Sequence, residues 1–349
     1  MRRVWAALLL PLALVTVGPV TPAAAEALIN GAGATFPYPL YSKWFDEYAR
    51  VEPGARFNYQ SIGSGAGIRQ ILARTVDFGA SDGPMTDEQL RAAPAPLLHI
   101  PTVLGAVVAT YNLAGRPKLQ LTADVLADIF LGKVTRWNDP RLVAANPGVA
   151  LPDQPIVVVH RSDGSGTSFI WADYLSKVSP EWAGKVGRGT SLNWPIGLGG
   201  KGNEGVAGQV KSTPGALGYV ELAYAVQNQL PVAAIRNRNG RLVTPTVEST
   251  TRAAAEAAGM PADFRVSLTD PPGPDAYPIA SFTWLLVYRE QPDQAKGRAL
   301  VKFLWWATHD GQRFAKDLLY APLPPQVVTR IEATLRGITF RGQSLLAAQ

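Results

Sequence analysis

No cysteine occurs anywhere in the 349-residue chain. That absence excludes a disulfide framework, a thiolate metal site, a cysteine nucleophile and a lipid-modified cysteine behind an export signal. Histidine is almost as scarce. His99, His160 and His309 are the only three, and none has the paired spacing of a metal site. Charge of one sign is never concentrated: no Lys/Arg cluster breaks the even spread, and the formal charge of +6 falls to +4 once Arg2 and Arg3 are set aside. Nucleic-acid binding is therefore not indicated. Apolar runs approaching membrane-spanning length are missing too, apart from one at the very start.

That run has the three-part layout of a secretory signal. Arg2 and Arg3 precede an apolar stretch from Val4 to Val20, and Ala23-Ala24-Ala25 stand just before the first acidic residue, Glu26. A spanning helix needs about 20 uninterrupted apolar residues, whereas Pro11, Gly18 and Pro19 interrupt this one. The expectation is a signal over residues 1–25, cleaved after Ala25, and a soluble, exported protein. The remaining 324 residues exceed what one core usually takes, so two lobes of about 100 to 200 residues each are expected.

Along this stretch, strand and helix signals alternate. Thr35 as a capping hydroxyl, Pro37, and Leu40, Tyr41, Trp44, Phe45 and Tyr48 at helical spacing predict a helix. Phe57 and Tyr59 alternate with polar residues as in a strand, then give way to Gly63-Ser64-Gly65-Ala66-Gly67 and a helix carrying Ile68, Ile71 and Leu72. A strand over Val76–Ala80 ends at Ser81-Asp82, and Thr86 with Gln89 spells a capping box. Val103–Tyr111 reads as a buried strand, and Thr122 as the cap of a helix that stops at Gly132. Ile156–Val159 is a strand running into His160-Arg161-Ser162-Asp163-Gly164-Ser165-Gly166-Thr167, followed by a helical stripe at Phe169, Ile170, Tyr174 and Leu175. Towards the end come a strand at Trp284–Tyr288 and helices at Ala299–Ala307 and Pro325–Leu335; Asp270–Pro278, with four prolines, reads as a loop or an inter-lobe connection. Repeated βα units predict an open α/β architecture.

Three places share one design, a short polar, glycine-rich turn at the start of a helix: Gly31–Phe36, Gly63–Gly67 and Gly164–Ser168. Helix starts leave backbone N–H groups unpaired and carry partial positive charge, so they attract anions, and glycine lets an anion approach the backbone. Hydroxyls of Thr35, Ser64, Ser165 and Thr167 can add donors. Each alone is accounted for by an ordinary N-cap. Arg161, three residues before the third turn, offers a planar fork for bidentate contact with the same anion, or alternatively an ion pair with Asp163. Asp82 ends a strand, where a turn carboxylate is commonplace.

The set as a whole carries a resemblance. The strings GAGATFPYPLYSKW (Gly31–Trp44), IGSGAG with VDFGASD (Ile62–Asp82), RSDGSGTS (Arg161–Ser168) and WPIGLGGKGNEGV (Trp194–Val206) resemble the periplasmic phosphate-binding proteins of high-affinity phosphate ABC transporters, in the right order over nearly the whole exported chain. The resemblance implies a type II periplasmic-binding-protein fold: two α/β lobes joined by a hinge, with the ligand in the cleft. Lobe I would comprise residues 26–106 and 278–349, and lobe II residues 107–277. It implies that Thr35, Phe36 (through its backbone N–H), Ser64, Asp82, Arg161, Ser165, Gly166 and Thr167 line the phosphate site, with Asp163 bracing Arg161. Its partners would be inorganic phosphate and the membrane permease and ATPase subunits of the transporter. A periplasmic monomer without metal, cofactor or catalytic residues is expected. The chain departs from the usual pattern at Gly65-Ala66, where the family often has a second serine or glycine.

Other signals are weaker. Gly197, Gly199 and Gly202 have the spacing of a dinucleotide fingerprint, but Trp194-Pro195 gives no preceding strand and Asn203-Glu204 no apolar helix start. The competing function is a secreted phosphoesterase using the same anion pocket with Ser165 as nucleophile. It would need a nucleophile elbow, which DGSGT does not match, and a positioned base, for which His160 is the candidate.

Overall fold

The computed structural model describes residues 27–255 and 259–346. The signal over residues 1–25 and its cleavage position lie outside the described residues. Eleven strands matter here: β1 (Ala27–Gly33), β2 (Ala55–Ser61), β3 (Phe78–Ser81), β4 (Leu97–Tyr111), β5 (Gln120–Leu121), β6 (Val157–Arg161), β7 (Leu198–Gly200), β8 (Ala216–Glu221), β9 (Ala234–Arg236), β10 (Leu242–Val243) and β11 (Ala280–Tyr288). Eight of them form one sheet in the order β2-β1-β3-β11-β4-β8-β6-β7, and β10-β9-β5 form a small second sheet.

The long sheet has two similar ends. At one, β2, β1 and β3 run parallel; at the other, β8, β6 and β7 do. Between them β4 is antiparallel to both neighbours, pairing β11 over Leu97–Ala106 and β8 over Val107–Tyr111. Strands covered on both faces read as continuous apolar runs. From His99 to Tyr111 β4 is buried throughout, and so is all of β11.

Each end has its own aromatic packing. The Tyr38–Val51 helix buries Leu40, Tyr41, Trp44 and Tyr48, one face at helical spacing. Its Phe45 stacks on Phe57 at 5.2 Å, and Phe57 meets Phe303 at 4.4 Å from the Gln294–Thr308 helix. At the other end Trp171 of the Gly166–Val178 helix stacks on Tyr219 of β8 at 4.9 Å, with Trp194 5.7 Å from the same ring.

Most expected elements are present within a few residues, and the Thr86–Gln89 capping box forms. Three local expectations need correction. Thr35 does not cap the first helix: Pro37 occupies that position with no side-chain bond, and the Thr35 hydroxyl is used elsewhere. Gly31–Gly33 end a strand and do not form a helix-start turn. The Gly197–Gly202 segment has no strand before it, as expected, since β7 lies within it at Leu198–Gly200, but a helix, Gly202–Ser212, does follow. The polar Asn203 that argued against this helix faces inward and is fully buried.

Candidate functional site

In open α/β sheets, side chains at the carboxyl ends of parallel strands converge in a crevice. Here both parallel groups end at the same place. Thr35 follows β1, Ser64 opens the Ser64–Leu72 helix after β2, and Asp82 follows β3. From the far end of the sheet, Arg161 is the last residue of β6, Ser165 caps the Gly166–Val178 helix, and Asn203 lies in the first turn of the helix after β7. Thr35, Phe36, Ser64, Asp82, Arg161, Ser165 and Thr167 are each no more than 3 % exposed.

Contacts between the two groups close the space. Gly65 N–H donates to the Gly164 carbonyl at 2.9 Å. Gly166 sits so close to the opposite wall that a Cβ there would lie 2.6 Å from the Asp82 nitrogen and from Ser64 Oγ. Only glycine permits this approach. Gly63, at φ +91°, turns the chain into the Ser64–Leu72 helix in a conformation that glycine adopts without strain.

Asp82 is held by hydroxyls. Thr283 Oγ1 donates to its Oδ1 at 2.9 Å, Ser64 Oγ lies 3.4 Å from Oδ2, and the Asp82 N–H donates back to Ser64 Oγ at 3.2 Å. Burial pushes its carboxyl up to about 7, against the Thr283 hydrogen bond, the Arg161 charge and the Ser64 hydrogen bond, which pull it down.

Arg161 is oriented in a different way. Its Nε and Nη2 form a fork on Asp163, at 2.7 Å to Oδ1 and 2.5 Å to Oδ2, while Nη1 reaches Thr167 Oγ1 at 3.3 Å. Asp163 also accepts from Gly202 N–H at 3.0 Å. Burial raises the Asp163 carboxyl, but the bonds and charge of Arg161 outweigh it and hold the group below its ordinary value. The Arg161 N–H donates to Tyr219 OH at 3.1 Å, which pins the backbone beneath the guanidinium.

Phe36 packs against Tyr320 at 6.3 Å, and the Tyr320 hydroxyl donates to its carbonyl at 2.6 Å, fixing that peptide. Tyr224 OH does the same for the Thr35 carbonyl at 2.6 Å. Ser165 Oγ accepts from Ser168 N–H at 3.0 Å as an N-cap. His160 is stacked on Trp194 at 4.8 Å and donates through Nδ1 to the Arg161 carbonyl at 3.0 Å. No group of three or more His, Cys, Asp and Glu residues able to hold a metal ion exists among the described residues.

The structure thus gathers all eight sequence-predicted ligands and Asp163 around one enclosed place. It adds Asn203, Thr283, Tyr219 and Tyr224, to which the sequence reading gave no role. Thr283 carried a signal: with Ser281 it is one of two small hydroxyl residues in a mostly apolar strand, β11. Asn203 belongs to the Trp194–Val206 string, but a polar residue there reads as a poor helix start until its partners are known. The two tyrosines had no signal: only the folded chain brings their hydroxyls to backbone atoms of the site.

A two-ended sheet closed over a cleft of helix starts defines a periplasmic-binding-protein type of fold, and residues 20–310 match the family model for a PBP superfamily domain. The chain is 48 % identical to the phosphate-binding protein PstS of Xylella fastidiosa over 320 residues, covering 90 % of this chain and 87 % of that one. It is 48 % identical to PstS of Pasteurella multocida over 310 residues, 87 % and 89 % of the two chains. A solved phosphate-binding protein from Stenotrophomonas maltophilia superposes with a TM-score of 0.70 at 21 % identity, over 88 % of this chain and 94 % of that one. The chain belongs to the PstS family of phosphate-binding proteins.

Proposed function

We propose that this protein binds inorganic phosphate in the cleft between two lobes and delivers it to an ABC importer. The carrying observation is a donor-rich enclosure that contains one buried carboxyl, Asp82. An anion site gains from Arg161, from the hydroxyls of Thr35, Ser64, Ser165 and Thr167, and from the backbone N–H groups of Phe36 and Gly166. A carboxylate repels an anion unless the anion brings a proton. Phosphate near neutral pH retains at least one O–H and sulfate has none, so Asp82 accepts from the first and faces the second unpaired. Asp163 serves the site by keeping the Arg161 fork in place.

Lobe I comprises residues 26–106 and 278–349 and lobe II residues 107–277 in this reading. The partner change within β4 between Ala106 and Val107 supports the first crossing. The second runs beside it: Tyr277 OH donates to the Val107 carbonyl at 3.1 Å, and Val107 N–H to the Ile279 carbonyl at 2.8 Å. Phosphate enters when the lobes part about these crossings and is released at a permease with its ATPase. The protein acts as a periplasmic monomer, exported with residues 1–25 removed.

Binding without chemistry is favoured over ester hydrolysis because Ser165 Oγ is engaged as a helix cap and His160 is turned to a carbonyl. Calorimetric titration with phosphate, run beside an assay with a chromogenic phosphate ester, tests the reading. Saturable phosphate binding at one site per chain with no ester turnover is expected. Turnover abolished by Ser165→Ala would establish the phosphoesterase instead.

A further inference from the structure

Asn203 bonds to hydroxyls from both ends of the sheet, and the way it does so sets their polarity. Its Oδ1 accepts from Glu221 N–H at 2.8 Å. A carbonyl oxygen must face that donor, so the amide nitrogen faces the other way. There Nδ2 donates to Thr35 Oγ1 at 2.8 Å and to Thr167 Oγ1 at 3.0 Å. Thr35 Oγ1 accepts a second bond from the Asn203 N–H at 3.1 Å, and Thr167 Oγ1 a second from Arg161 Nη1 at 3.3 Å.

A hydroxyl has two acceptor positions and one proton. Both acceptor positions are filled on each threonine, so each hydroxyl can only donate. We propose that Asn203 is a positioning residue that fixes Thr35 and Thr167 as donors toward the bound anion, so that neither competes with Asp82 for a ligand proton. The inference rests on the phosphate-binding reading above and deepens it: the preferred ligand is an oxyanion with bare oxygens toward the threonines and one protonated oxygen toward Asp82. Without Asn203 either hydroxyl could rotate and accept, and the site would no longer distinguish bare from protonated oxygens.

A double-mutant cycle separates this from simple packing. Phosphate affinity is measured by calorimetry for Asn203→Ala in the otherwise native chain and in a Thr35→Val, Thr167→Val background. Valine keeps the shape and removes the hydroxyl. The expected cost of Asn203→Ala is about 10-fold in the native background and under about 3-fold in the valine background, where there is no hydroxyl left to orient. The isosteric Asn203→Asp is carried through the same cycle, in case the alanine variant does not fold. Its added charge opposes the anion in both backgrounds and cancels in the ratio, so its cost must still be at least about 3-fold greater with the threonines present. Equal costs in the two backgrounds, for whichever variant folds, overturn the proposal. A native chain that takes up no phosphate overturns the preceding reading, and this one with it.

Discussion

The two ends of the long sheet are alike in backbone and opposite in chemistry. Each is a group of three parallel strands whose carboxyl ends, with the helix starts behind them, face the cleft. At β3 the chain delivers a carboxyl, Asp82, held by the hydroxyls of Thr283 and Ser64 and raised by burial to about 7. At β6 it delivers a guanidinium, Arg161, clamped by Asp163. A shared architecture thus supplies the cradle, and the residue that ends one strand decides whether that wall attracts charge or tests for a proton. In the proposed reading one end accounts for grip and the other for choice.

Removing the gripping side should have the largest effect. Arg161→Ala leaves the anion and Asp163 without their common partner, and such losses cost about 2 to 5 kcal/mol. Phosphate affinity by calorimetry should fall by orders of magnitude, and Arg161→Lys should recover only part of it, since a point charge does not reproduce a planar fork. Affinity within a few-fold of native in the alanine variant would take Arg161 out of the site.

Separating the two ends should come next. In Gly166→Ala the new methyl meets the Asp82 nitrogen and Ser64 Oγ at 2.6 Å, so the closed arrangement must shift. Overpacking of this kind costs about 1 to 3 kcal/mol. It should appear as weaker phosphate binding with little change in the thermal transition of the ligand-free protein, because the strain arises where the ends meet and not inside either. A lowered transition with unchanged affinity would show that Gly166 matters only to folding.

A third effect, on stability and not on binding, concerns Asp82 in the absence of phosphate. Its folded value near 7 lies above the ordinary 3.8. Below about pH 4 the carboxyl is protonated in both folded and unfolded chains. Between about 4 and 7 only the unfolded chain releases the proton, so folding stability is lost as pH rises through this window and levels off above it. The slope is at most about 1.4 kcal/mol per pH unit. Urea unfolding across pH 4 to 8 should show this component in the native chain and not in Asp82→Asn. Identical pH profiles would mean that Asp82 titrates normally.

Much of this was legible in the chain because it is carried by local pattern. The helix starts at Ser64 and Gly166, the buried β4 and the Thr86 capping box all follow from spacing and residue type within a few positions. The family motifs named the groups that the fold then gathered. Legibility failed where a residue's partner lies far along the chain. Thr35 resembles a cap until Asn203, 168 residues later, takes its hydroxyl. Asn203 looks too polar for an inward helix face until three partners satisfy it. A polar residue in a buried position is readable only once its bonds are known.

The most direct test of the division between grip and choice is competition between phosphate and sulfate on the native chain and on Asp82→Asn, followed by tryptophan fluorescence or calorimetry. The asparagine amide can donate as well as accept, so it no longer penalises an oxyanion without a proton. The phosphate-over-sulfate affinity ratio should narrow by more than phosphate affinity itself falls. An unchanged ratio would show that Asp82 is a turn carboxylate and that the two ends of the sheet do not divide the work between them.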